Sequence, residues 1–96
     1  MRQLYFSFKF HVPELCQEGD GSSYRGTVSV TKTGKTCQRW SMLIPHGHSY
    51  QAIRYPSAGL KRNYCRNPSG DPGVWCYTTD RNTRWEHCDV PVCGTV

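Results

Sequence analysis

The six cysteines of this 96-residue chain, at positions 16, 37, 65, 76, 88 and 93, are the residues with the most chemistry to offer. At such density thiols either hold a metal ion or close on one another as disulfides. Structural zinc sites usually take cysteines in close C-x-x-C pairs, and the nearest neighbours here are Cys88 and Cys93. The even count and wide gaps predict full pairing into three bridges, made in an oxidising, extracellular compartment. His46 and His48, one residue apart, would face the same way on a strand and could chelate a metal. No third ligand stands near them, so hydrogen bonding is their expected role and no metal site is expected.

Catalysis finds no support. There is no nucleophile elbow, no metalloprotease helix and no close Ser, His and Asp set, and a paired cysteine is no nucleophile. No cofactor is expected. Asn67-Pro68-Ser69 has proline in the forbidden place of a glycosylation signal. The net charge of +5 and pI near 9.0 favour acidic partners. Clustered cations among Lys32, Lys35, Arg39, Arg54, Lys61, Arg62 and Arg66 make heparin-like sulfated glycans one candidate ligand. Nucleic acid is not expected, because no DNA- or RNA-binding motif accompanies the charge.

The elements that must position these residues are slight. Ninety-six residues make one domain, and an apolar fraction of 36% falls below the roughly 45 to 50% of ordinary domains. Cross-links must therefore supply part of the stability. From Cys16 to Cys93 the chain is loop-rich, with turn signals at Gly19 to Gly21, Gly34, Pro45 to Gly47, Pro56 to Gly59 and Asn67 to Gly73. Short strands are expected over Thr27 to Thr33, Trp75 to Thr79 and Thr83 to His87. The N-terminal residues alternate from Phe6 to Val12 and could form another strand. Ser7, Lys9 and His11 interrupt that run and no small-residue cleavage site follows, so it does not read as a signal peptide. No stretch reaches the roughly 18 to 20 apolar residues of a membrane span.

The words around the cysteines carry more. Tyr24-Arg25-Gly26-Thr27, Cys37-Gln38-Arg39-Trp40, Pro45-His46-Gly47-His48, Asn63-Tyr64-Cys65-Arg66-Asn67-Pro68, Trp75-Cys76-Tyr77-Thr78-Thr79 and Cys88-Asp89-Val90-Pro91-Val92-Cys93 all stand in order. Together with the spacing they resemble a kringle over residues 16–93, which leaves 1–15 as an N-terminal extension and 94–96 as a C-terminal tail. Spacing alone allows fifteen pairings. The resemblance implies one of them: Cys16 with Cys93, Cys37 with Cys76, and Cys65 with Cys88. It implies a small disulfide-rich fold, mostly irregular with short antiparallel strands. It also implies a non-catalytic binding module of a larger multidomain protein, either secreted or part of a membrane protein's ectodomain.

Lysine-binding members of that family hold the side chain in a shallow aromatic trough with an anionic end. An ammonium wants a carboxylate, and its methylene stem wants rings, whose π faces also attract a cation. The family's acidic pair corresponds to Ser69 and Asp71, so only Asp71 carries charge. Its aromatic walls correspond to Trp75, Tyr77 and Trp85, its cationic end to Arg84, and Tyr50 stands where a second cation can occur. His87 lies where another ring is common. Each also has a plainer reading: Trp75 and Trp85 as core rings, Asp71 as a turn cap, Arg84 as a solvated arginine. Trp40, beside a cysteine, is expected in the core. On a regular strand Arg84 and Trp85 would point to opposite faces. The expected function is recognition of an exposed lysine or other cationic group on an extracellular protein, with weak affinity for free lysine. Glycan binding and a spacer role in a larger protease, growth factor or receptor are the alternatives.

Overall fold

The structure, a computed structural model, describes residues 13–94; the strand expected over Phe6 to Val12 lies outside the described residues. Two of the other expected strands form, each as three residues: β1, Trp75–Tyr77, and β2, Trp85–His87. They pair antiparallel, with Trp75 opposite His87, Cys76 opposite Glu86 and Tyr77 opposite Trp85. Side chains alternate along a strand, so Trp75, Tyr77, Trp85 and His87 share one face of this ribbon. Cys76 and Glu86 take the other.

Thr27 to Thr33 is not a strand. Among the described residues it contributes one bridge, Val30 with Thr36. Gly34, at φ 88°, turns the chain back immediately, and Thr31 N bonds Lys35 O at 2.8 Å. The carbonyl of Val28 is already taken by Cys65 N at 2.8 Å. The apolar alternation is present, but no ladder partner remains beside it for more than one pair.

Covalent links stand where longer strands would otherwise be needed. The bridges are Cys16–Cys93, Cys37–Cys76 and Cys65–Cys88, as the resemblance implies, and no cysteine is free among the described residues. The sulfurs of Cys37 and Cys65 lie 3.7 Å apart, so two bridges touch at the centre. Beside the third, Gln17 N bonds Pro91 O and Cys93 N bonds Gln17 O, each at 2.7 Å, which clips the two ends of the domain together.

Around the central sulfurs lies a small core. Trp40, 2% exposed, meets Trp75 and Tyr77 edge-on at 5.4 and 6.0 Å, and its indole N–H donates to Tyr64 O at 2.7 Å. Arg66 is as buried as its apolar neighbours. Its guanidinium donates to Gly59 O, Gly26 O and Cys65 O at 2.7 to 2.8 Å and lies 5.5 Å from the Tyr24 ring. Burial, and then the neighbouring charge of Arg25, lower its pKa below the ordinary arginine value. The Tyr24 hydroxyl rests against Gly26 in space that any Cβ there would occupy, which accounts for glycine in that word.

Candidate functional site

The ring-bearing face of the ribbon opens into a hollow of about 220 Å³, lined by Tyr50, Ser69, Asp71, Trp75, Tyr77, Arg84 and Trp85. All six residues singled out as ligand-binding in the sequence meet there. Trp75 meets Tyr77 at 5.1 Å, Tyr50 at 5.7 Å and Trp85 at 6.0 Å, each broadly edge-to-face. Trp75 and Tyr77 are buried, whereas Trp85 is 47% exposed. Trp75 is therefore both packed into the core and part of the lining of the hollow.

Arg84 stands just before β2, its carbonyl still accepting Thr78 N at 3.1 Å, and its long side chain brings the guanidinium to the hollow that Trp85 also lines. The Asp80 carboxylate accepts from Asn82 N at 2.9 Å, and Thr83 N bonds Asp80 O at 3.0 Å, closing the turn that delivers Arg84. Its guanidinium lies 5.2 Å from the centre of the Tyr77 ring and donates to Gly47 O at 2.8 Å. Burial raises the Tyr77 phenol above its ordinary pKa of 10.0, and the charge of Arg84 opposes that rise. His87 does not line the hollow. Its ring stands edge-on behind Trp85 at 5.3 Å, with Nε2 buried and unpartnered.

Sequence reasoning missed what Ser69 does. Its hydroxyl donates to Asp71 Oδ2 at 2.8 Å and accepts the Trp75 indole N–H at 3.0 Å. It thus ties the carboxylate to the aromatic wall and occupies one of the oxygens an ammonium would seek. Asn67 holds the loop beneath: its side-chain amide donates to Asp20 O and Asp71 O at 2.7 and 2.5 Å, and its Oδ1 accepts Asp71 N at 3.1 Å. A serine two residues after an asparagine in a Pro/Gly-rich stretch signals only a turn, so nothing in the sequence advertises this role.

Both histidines of the pair are hydrogen-bonded. His46 Nε2 lies 2.9 Å from Asp80 O. His48 stacks on Tyr77 at 4.8 Å with 11° between planes, accepts Tyr50 N–H at Nδ1 (3.0 Å) and donates from Nε2 to Met42 O (3.0 Å). Both nitrogens are committed in the neutral form. Burial, helped by the charge of Arg84 and opposed by the Met42 carbonyl, lowers its pKa from 6.5. The unfolded chain takes its proton near the ordinary value while the folded chain resists to lower pH. This contribution to stability is therefore full above about pH 6.5 and is lost as pH falls through the lowered folded value. Thermal melts between pH 7.5 and 5 are expected to show that decline in the parent protein and a flatter profile in His48→Gln. A His48 titration by NMR at or above the ordinary value would contradict it.

A three-bridge frame, a two-stranded ribbon and an aromatic hollow with one carboxylate define a non-catalytic protein-binding module, and the family model described as "Kringle domain" matches residues 16–93; the chain belongs to that family. Its curated relatives include plasminogen of Capra hircus, 55% identical over 79 residues that make up 82% of this chain and 64% of the relative. Apolipoprotein(a)-like protein 2 of Homo sapiens is 54% identical over 79 residues, 82% of this chain and 60% of the relative. The chain thus spans less than two thirds of the length of either. Among the described residues no helix is long and apolar enough to cross a membrane.

Proposed function

We propose that this module captures an exposed lysine, or a similar cationic group, of an extracellular partner protein in the hollow between Asp71 and Arg84. The carrying observation is the convergence of a single carboxylate, Asp71, with Trp75, Tyr77, Trp85 and Arg84 around one opening. Asp71 takes the ammonium, the rings of Trp75 and Trp85 pack on the methylene stem, and Tyr77 closes the floor. Arg84, with Tyr50 beside it, receives the carboxylate of a free lysine. In a protein-borne lysine that carboxylate is replaced by a peptide bond, so the Asp71 end dominates. Residues 16–93 form the binding unit, with 1–15 and 94–96 as flanking segments of a larger secreted protein or ectodomain.

Affinity for free lysine is weak in this reading, because Ser69 stands where a second carboxylate would and engages one oxygen of Asp71. Ser69→Asp supplies the missing charge while leaving an acceptor for the Trp75 indole. It is expected to tighten binding of 6-aminohexanoate about tenfold, the effect of one partly desolvated charge-assisted contact of about 1.4 kcal/mol. Titration followed by tryptophan fluorescence and amide shifts checks both statements. Shifts at Asp71, Trp75 and Trp85 support the trough. A response to heparin oligosaccharide alone, centred on Lys61 and Arg62, sinks it. The glycan reading loses one of its cations in any case, since the guanidinium of Arg66 is spent on buried carbonyls.

A further inference from the structure

A second hollow, of about 350 Å³, opens beside Trp40 and has a different character. Trp40, Ala52, Ile53 and Leu60 form its apolar lining, with Ser41 and Gln51 completing it. Ile53 is 89% exposed, so nearly its whole apolar side chain is available to a partner at the edge of this hollow. Arg39, Arg54 and Lys61 are the chain neighbours of Trp40, Ile53 and Leu60, and all three are exposed. Arg62, also exposed, joins them through its carbonyl, which accepts Trp40 N at 3.0 Å. Between Asp20 and Asp71 the chain carries no acidic residue, while eight of its twelve lysines and arginines fall in that interval.

We propose that this face is a second interaction surface, which takes an acidic peptide segment of a partner protein bearing one bulky apolar side chain. The apolar side chain enters the hollow against Ile53, Leu60 and the edge of Trp40, and the flanking carboxylates pair with Arg39, Arg54 and Lys61. Interfaces commonly combine a buried apolar anchor with charged groups at the rim. A sulfated glycan would satisfy the cations but leave the apolar lining uncovered, so the peptide fits both features where the glycan fits one. The surface selects the opposite charge from the Asp71 hollow, and its argument does not depend on lysine binding there. Trp40 touches both sites, lining this one and packing beneath Trp75 and Tyr77.

The test uses the full chain and two N-acetylated peptides, Glu-Glu-Asp-Phe-Glu-Asp and its Phe-to-Ala counterpart, with amide shifts read by NMR. The Phe peptide is expected to shift Ala52, Ile53 and Lys61, and to bind about fivefold more tightly than the Ala peptide. Ile53→Ser, at an exposed position, is expected to cost about fivefold in affinity, and Arg39→Glu with Lys61→Glu more than about tenfold. Saturating 6-aminohexanoate should leave the affinity unchanged. Equal binding of the two peptides, binding of neither, or shifts confined to the Asp71 hollow overturns the proposal. So does tight binding of a heparin hexasaccharide that Ile53→Ser leaves unaltered while the peptides fail to bind.

Discussion

Replacing Cys37 and Cys76 together by alanine is expected to unfold the domain at 37 °C, and to do so more completely than replacing Cys16 and Cys93. Chain entropy alone argues the reverse. The bridges span 39 and 77 residues, which gives about 3.9 and about 4.5 kcal/mol in the loop-closure account. Packing decides the order. Cys37 and Cys76 are 2% and 0% exposed, and Cys37 touches Cys65 of the neighbouring bridge. Their loss therefore leaves a cavity under Trp40 and the ribbon. Cys16 is only half-buried, and the backbone bonds of Gln17 to Pro91 and Cys93 hold that seam in part. With small domains stable by about 5 to 15 kcal/mol, the central loss is decisive. Thermal melts of the two double variants by near-ultraviolet circular dichroism check the order, and a less stable Cys16/Cys93 variant would make entropy the governing term.

Asp71→Asn is expected to lower affinity for 6-aminohexanoate about thirtyfold and leave the fold intact. The substitution keeps the shape and an acceptor for the Ser69 hydroxyl, and removes the one negative charge among the described residues that line the hollow. A hydrogen bond to a charged group contributes about 1.5 to 3 kcal/mol, and about 2 kcal/mol corresponds to thirtyfold. Stability should change by less than about 0.5 kcal/mol, as for other surface changes that keep their partners. Trp75 would be a poorer probe, because its ring also supports the core and its removal would confuse folding with binding. Calorimetric titration alongside a thermal melt separates the two effects. Retained affinity in Asp71→Asn would place the ammonium elsewhere.

Much of this was legible because cysteine spacing and the surrounding words carry covalent information, which tertiary context cannot override. The pairing follows from the family resemblance, and the same resemblance groups Asp71, Trp75, Tyr77, Arg84 and Trp85 at one site. Local pattern served less well. Val28 and Val30 alternate as a strand does, yet Gly34 and the bond from Cys65 N to Val28 O leave room for one bridge. Arg66 reads as a surface cation, and its burial depends on three carbonyls supplied by Gly59, Gly26 and Cys65, a convergence no local window displays. Ser69 reads as an absent charge, and its bonds to Asp71 and Trp75 appear only once the loop is closed over the ribbon.

The two bridges that touch at the centre have a consequence for how this protein can change over time. Tyr50, Ser69, Asp71 and Arg84 all sit on excursions of chain anchored at their roots by Cys37, Cys65, Cys76 and Cys88, outside the sulfur hub itself. In the proposed reading, mutations on those excursions alter what is recognised without passing through the hub. The architecture therefore separates inheritance of shape from inheritance of specificity, much as antibody loops vary upon a constant sandwich. Duplicated copies of such a unit can diverge in taste while remaining equally foldable.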